Sequence, residues 1–147
     1  MQLEILELSQ IQQSKWQTLW KAYQQFYQTD LSADITEYTW QRLSSEEIKH
    51  MYGFAAILDG NIVGIVHVVE HESCWTLKPY AYLQDLYTLE EHRAKGVARA
   101  LIEHVYQVAK LRQCDRVYWL THESNGLAQK LYDQVAKKTG FIQYRMN

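Results

Sequence analysis

The sequence predicts an α/β domain, and three observations carry that reading. Segments that alternate apolar and polar residues are interspersed with segments whose apolar residues recur at i, i+3, i+4 and i+7, the periods of strand and helix. Taken in order they run β-α-α-β-β-β-α-β-α-β, with a β-α-β-α unit at the centre. The 147 residues, with 6 Gly and 1 Pro spread singly, show no linker, internal repeat or low-complexity tract, so residues 1–147 read as one domain.

Leu3–Leu8 alternate and form a first strand. Ser9-Gln10-Ile11-Gln12 fits a capping box, in which side chains satisfy the free N–H groups of a helix start. Trp16, Leu19, Trp20, Tyr23, Phe26 and Tyr27 follow at helical spacing, so an amphipathic helix runs to about Gln28. Asp34-x-x-Glu37 opens a second, shorter helix through Trp40 and Leu43. Tyr52–Leu58 and Ile62–Val69 are β-rich runs on either side of Asp59-Gly60-Asn61, residues that accept the positive φ of a hairpin turn.

Glu70 to Pro79 is a connection, and Tyr80–Thr88 is a strand. Strict alternation puts Leu83, Asp85 and Tyr87 on one of its faces and Tyr82, Gln84 and Leu86 on the other. A helix follows from Gly96 to Leu111 with Val97, Leu101, Val105 and Val108 on one face. Arg116–Thr121 is a short apolar strand, and Asn125–Lys137 a helix striped by Leu127, Leu131 and Val135. Gly140 ends that helix, and Phe141–Arg145 is a last strand. The total is about six strands and about four helices.

Composition narrows the partners. The net charge is -2, which gives no global attraction to a phosphate backbone and disfavours a nucleic-acid partner. Cys74 and Cys114 are far apart and form no CxxC pair, so both read as free thiols of a reducing, cytoplasmic compartment. Met1–Gln10 mixes Glu4 and Glu7 into its apolar residues, unlike a signal peptide. No apolar run approaches the roughly 18–20 residues that cross a bilayer, so no membrane association is expected. Aromatic residues make up 13% of the chain, which suits a heavy aromatic core or an aromatic-lined pocket.

The chemistry concentrates between Tyr82 and Phe141. The strand Leu83–Thr88 leads through Leu89–His92 into Arg93-Ala94-Lys95-Gly96-Val97-Ala98 and directly into a helix. The first N–H groups of that helix lack intrahelical acceptors, and the macrodipole adds partial positive charge. Gly96 and the small Ala98 leave room for a pyrophosphate, with Arg93, Lys95 and Arg99 around it.

Arg93-x-x-Gly96-x-Ala98 in this position resembles the acetyl-CoA loop of the GNAT family of N-acetyltransferases. After the strand Val117–Thr121, Asn125, Ala128, Leu131 and Tyr132, then Gly140-Phe141, match the family's second block in the right order. The resemblance covers roughly residues 50 to 145. It implies a mixed, mostly antiparallel twisted sheet flanked by helices, and acetyl-CoA as cosubstrate with no metal. It also implies an acceptor that is the primary amine of a small molecule or peptide. The backbone of Leu86, Tyr87 and Thr88 would pair with the pantetheine arm. The amides of Arg93, Ala94, Lys95, Gly96, Val97, Ala98 and Arg99 would hold the pyrophosphate. Asn125 would bond the cofactor near its thioester, and the Tyr132 phenol would protonate the departing thiolate.

The acceptor amine must first lose a proton. A lysine-like amine has a pKa of about 10.4, so neutralising it near pH 7 costs roughly 4–5 kcal/mol. The polyamine-type branch of the family carries Glu-Asp where this chain has Gln84-Asp85, and Gln84 cannot take a proton. Asp85 ranks first as base, ahead of a water chain, Glu70 or His122. The long spacing from Tyr132 to Gly140 resembles the subgroup of histone, polyamine and D-amino-acid acetyltransferases. Between Thr29 and Glu47, Asp30, Asp34, Glu37, Glu46 and Glu47 stand against Arg42, either as a solvated helical face or as an acidic rim for a cationic amine. An open sheet edge beyond Phe141 implies a homodimer.

His67-Val68-Val69-Glu70-His71 matches a zinc-protease string, which requires a helix to align its histidines; here it falls on a β-branched run. A Cys nucleophile has no partner pattern. The competing class is a CoA-binding sensor or scaffold without catalysis, suggested by an intact cofactor motif beside a neutral Gln84. A purely structural interaction domain is the third.

Overall fold

In the computed structural model, which describes residues 2–147, five strands lie side by side in chain order. They are β1 (Leu3–Glu7), β2 (Met51–Leu58), β3 (Asn61–His71), β4 (Tyr80–Thr88) and β5 (Arg116–Tyr118). The first four are antiparallel and β5 joins β4 in parallel. The β2–β3 hairpin turns on Asp59 (φ 51°) and Gly60 (φ 81°), the left-handed pair that matches the twist of its strands.

Strand alternation divides the core between two faces. Val66 and Val68 of β3 join Phe54, Leu83, Leu101 and Val105 under α3 (Val97–Leu111). Ile65 joins Leu8, Trp16, Leu19, Trp20 and Leu43 under α1 (Gln13–Phe26) and α2 (Ala33–Ser44). A Cβ on Gly64 would stand 2.9 Å from Val97 Cγ1 and 3.1 Å from Leu101 Cδ1, so only glycine lets the start of α3 sit this close to β3.

Several boundaries differ from the sequence reading. Ser9 lies in a short 3-10 turn and bonds Glu7 Oε2, while α1 starts from Gln12 with no side-chain cap. The cap of α2 is Ser32, whose Oγ accepts from the Ile35 N–H at 3.2 Å; Asp34 follows in the first turn, where a carboxylate suits the helix dipole. In α4 (Gly126–Val135), Leu131, Tyr132 and Val135 pack on the core, but Leu127 is exposed.

The expected sixth strand is absent among the described residues. Beyond Val135 the helix has ended, and Phe141–Arg145 forms no ladder, with Phe141 93% and Tyr144 89% exposed. Alternation expresses a tendency, whereas a strand exists only where a neighbour accepts its backbone bonds. For the same reason β5 is short: it pairs with β4 only through Tyr118 and does not reach Thr121. Among the described residues no helix is long and apolar enough to cross a membrane.

Candidate active site

The site is built on an irregularity in β4. His67 pairs with Asp85 and Val68 pairs with Leu83, which leaves Gln84 as an extra residue in β4. A bulge of this kind turns consecutive side chains to the same side and breaks the alternation. Leu83 therefore points into the α3 core, while Gln84 and Asp85 both line a cavity of about 470 Å³ between α1, α2 and the sheet. This corrects the expectation that Leu83 and Asp85 share a face opposite Gln84. Gln84, which cannot take a proton, and the Asp85 carboxylate beside it thus reach the same cavity.

Asp85 is held by two neighbours. Tyr23 of α1 donates its hydroxyl to Oδ1 at 2.9 Å, and His67 Nδ1 lies 2.9 Å from Oδ2. The indole Nε1–H of Trp16, itself fully buried, donates to His67 Nε2 at 2.9 Å. An Nε2 that accepts carries no proton, so His67 is the Nδ1–H tautomer and donates to Asp85. Burial first, and then the Asp85 charge, push the Tyr23 phenol far above its ordinary range, so it remains a donor. Each carboxylate oxygen keeps a further lone pair for a ligand.

The cofactor features lie beside this group. Since β5 pairs only with Tyr80–Tyr82, the β4 edge from Leu83 to Thr88 is unpaired on that side; the Leu86 backbone and the Thr88 N–H face this open edge, while the Tyr87 backbone turns to Ile65 of β3. At the end of β4, Ala94 (φ 60°) and Gly96 (φ 85°) are both left-handed. The first helical bond of α3 runs from Ala100 N–H to the Gly96 carbonyl at 3.0 Å, leaving the amides of Val97, Ala98 and Arg99 without an intrahelical acceptor. No atom lies within 4 Å of where a Gly96 Cβ would stand, so there is room for an anion. These features fit a CoA pyrophosphate and pantetheine.

The cationic side chains are arranged differently from expectation. Arg93 turns back, its Nε donating to the Thr88 carbonyl at 3.0 Å and its guanidinium lying over Phe26 and Tyr87. Arg99 is engaged by Glu103 and Gln134. The free backbone amides at the start of α3, rather than these two side chains, make this a candidate anion site, and Lys95 is exposed nearby. Asn125 precedes α4, its Nδ2 at 3.5 Å from Thr121 Oγ1. Tyr132 packs edge-on against Trp119, and burial holds its phenol above the ordinary range.

Other sequence candidates lie elsewhere. Glu70 occupies the α3 face of β3, accepting from Tyr52 OH and Arg112 Nε, both at 2.6 Å. Burial raises its carboxyl, but Arg112 and Tyr52 outweigh that and hold it below the usual range, so it is an ion-pair partner away from the cavity. His122 sits in an exposed loop and bonds Ser124. His71 bonds Tyr118 OH at 2.7 Å. Among the described residues no cluster of three or more His, Cys, Asp or Glu could hold a metal. Both cysteines are free, and burial pushes the Cys114 thiol up to about 11, unlike a nucleophile.

Residues 10–137 match the acetyltransferase (GNAT) family. The chain belongs to this family. It is 37% identical over 134 residues to the D-amino-acid N-acetyltransferase HPA3 of Saccharomyces cerevisiae, spanning 90% of this chain and 83% of that protein. A thialysine N-epsilon-acetyltransferase of Caenorhabditis elegans is 28% identical over 106 residues, 69% of this chain and 66% of the relative. Among solved structures, the aminoglycoside acetyltransferase AAC(6')-Iy with a CoA bisubstrate analogue shares the fold, with TM-score 0.86, 18% identity and 100% and 99% of the two chains covered. This GNAT protein is therefore an acyltransferase that uses acetyl-CoA to acetylate amines.

Sequence reasoning missed three members of the site: Trp16, Tyr23 and His67. The first two sat in a stripe read as core, and His67 in a string weighed only for metal. The signal available was a histidine two residues from Ile65, on the same face of a strand that is otherwise apolar, and only the β3–β4 register connects it to Asp85.

Proposed function

We propose that this protein transfers the acetyl group of acetyl-CoA directly to the primary amine of a small molecule of amino-acid or polyamine type, with both substrates bound together. The observation that carries this reading is the Asp85 carboxylate, held by His67 and Tyr23 at the bulge where β4 parts from β5. The pantetheine arm lies along the free edge from Leu86 to Thr88, and the pyrophosphate lies on the amides from Arg93 to Arg99. Asn125 flanks the thioester end.

The ammonium of the acceptor gives its proton to Asp85, directly or through a water, and the neutral nitrogen attacks the thioester carbonyl. His67 does not compete for that proton, because its accepting nitrogen is already occupied by Trp16. Collapse of the tetrahedral intermediate breaks the C–S bond, Tyr132 gives its proton to the departing sulfur, and the second proton that the nitrogen loses as the amide forms returns to the phenolate through water. The raised phenol is protonated at neutral pH, as this role requires.

The unpaired β5 edge and the exposed Phe141, Ile142 and Tyr144 support a homodimer. Two free thiols fit a reducing, cytoplasmic setting.

The test is release of CoA thiol from acetyl-CoA across amino acids of both hands, polyamines and lysine peptides. Asp85→Asn should lower kcat by about 100-fold or more while leaving the CoA Kd within about 2-fold. An Asp85→Asn protein with wild-type kcat would remove the base from this mechanism.

A further inference from the structure

The cavity over β3 and β4 contains a cation that acetyl transfer does not itself use. Helix α2 presents Ile35, Thr39, Arg42 and Leu43 to this cavity, positions 0, 4, 7 and 8 of one helical face. Of the charged residues in the acidic Thr29–Glu47 region, only Arg42 lines it. Glu37 faces away and accepts from Gln13 at 2.6 Å, and Asp34, Glu46 and Glu47 are exposed. Of the two readings of this acidic region, the solvated face fits these residues, and the charge that α2 brings to the cavity lining is cationic.

Arg42 is oriented but not consumed. Its Nε donates to the Tyr38 carbonyl at 3.3 Å and its guanidinium lies 4.1 Å from the Tyr38 ring centroid, while the terminal nitrogens have no acceptor among the described residues. A second donor in the cavity lining, from α1, is unsatisfied. Trp20 lines the cavity, is 6% exposed, and its indole N–H finds no acceptor. A buried donor without a partner is costly unless a ligand oxygen supplies one. On the floor, Asp85 offers the opposite charge. Leu31, Ile35, Leu43 and Met51 add apolar surface to the same lining.

A polyamine has a cation at each end and would place one of them against Arg42. An amine that also carries a carboxylate satisfies both charges. We infer that Arg42 anchors the carboxylate of the acceptor, so that the acceptor is an amino acid with an apolar side chain and not a polyamine. The planar guanidinium suits a two-point grip on a carboxylate. This inference rests on the acetyl-transfer reading above and selects within it.

The experiment compares phenylalanine, each hand tested separately, with its carboxamide and with spermidine. Two readouts are taken: kcat/KM for CoA release, and amine Kd with CoA bound. The better hand of phenylalanine should exceed its amide and spermidine by about 10- to 100-fold, mainly in KM. The amide gives up its ammonium proton more readily, which biases the comparison against this result. Arg42→Gln should bring the acid down to the level of the amide and leave the amide unchanged, which also shows that the variant is folded. Arg42→Lys should recover part of the loss. Equal efficiency on acid and amide, a loss shared by both in Arg42→Gln, or spermidine as the best acceptor would each overturn the anchor. No turnover with any amine would instead defeat acetyl transfer. The Kd of acid against amide would then still decide the role of Arg42.

Discussion

Trp16 and His67, 51 residues apart, meet through a 2.9 Å bond in which a fully buried indole N–H occupies the only basic nitrogen of a histidine that is itself 2% exposed. That one bond leaves His67 a single hydrogen to give, and the hydrogen goes to Asp85. The Asp85 carboxylate is thus oriented from within the core.

Trp16→Phe removes the donor while keeping an aromatic ring in place. His67 Nε2 is then buried without a partner, at a cost of about 1–3 kcal/mol in unfolding free energy. Nitrogen NMR of the wild-type imidazole should show a protonated Nδ1 and an unprotonated Nε2; the variant should keep that tautomer, because the Asp85 carboxylate can only accept, and should show a shifted Nε2 resonance where the indole donor is lost. A wild-type His67 protonated at Nε2 would contradict the chain from Trp16 to Asp85.

Tyr132→Phe should lower kcat by about 100-fold with little change in CoA affinity, since the phenol acts only on the leaving sulfur. Burial raises its pKa above 10.0, and a general acid works only while protonated. The alkaline fall of kcat assigned to this group should therefore lie at higher pH than an ordinary phenol would give. A kcat profile unchanged in the Phe variant would exclude Tyr132 as the acid.

Glu70 links β3 to the end of α3 through Arg112, whose Nη2 also reaches the Lys49 carbonyl at 2.6 Å. Its folded pKa is lowered from 4.5, so the stabilisation is fully present above about pH 4.5 and is lost as pH falls through the folded value. Glu70→Gln should unfold more easily at pH 7, by about 1 kcal/mol given the partly exposed Arg112, and should lose less stability than wild type on acidification. Parallel losses from pH 7 to pH 3 in the two proteins, followed by thermal unfolding, would show that the pair contributes nothing.

Much of the architecture was legible from periodicity alone. The helical stripe of α1, the Asp59-Gly60 turn and the strand–turn–helix around Gly96 are local patterns whose physics needs no partner. The candidate anion site belongs with them, since its free amides come from a few consecutive residues. The Phe141–Arg145 strand failed for the opposite reason, as pairing depends on a neighbour.

The sequence by itself determined the order of elements, the nucleotide-type loop and the presence of Asp85 and Tyr132. Tertiary structure alone decided that Gln84 is a bulge and that Asp85 turns into the cavity. It likewise decided that Trp16, Tyr23 and His67 hold that carboxylate, and that Arg42 is the charge α2 presents to the ligand space. Each depends on the β3–β4 register or on the packing of α1 and α2 against the sheet. Those contacts join residues far apart in the chain, and the pattern of either segment carries no trace of the other.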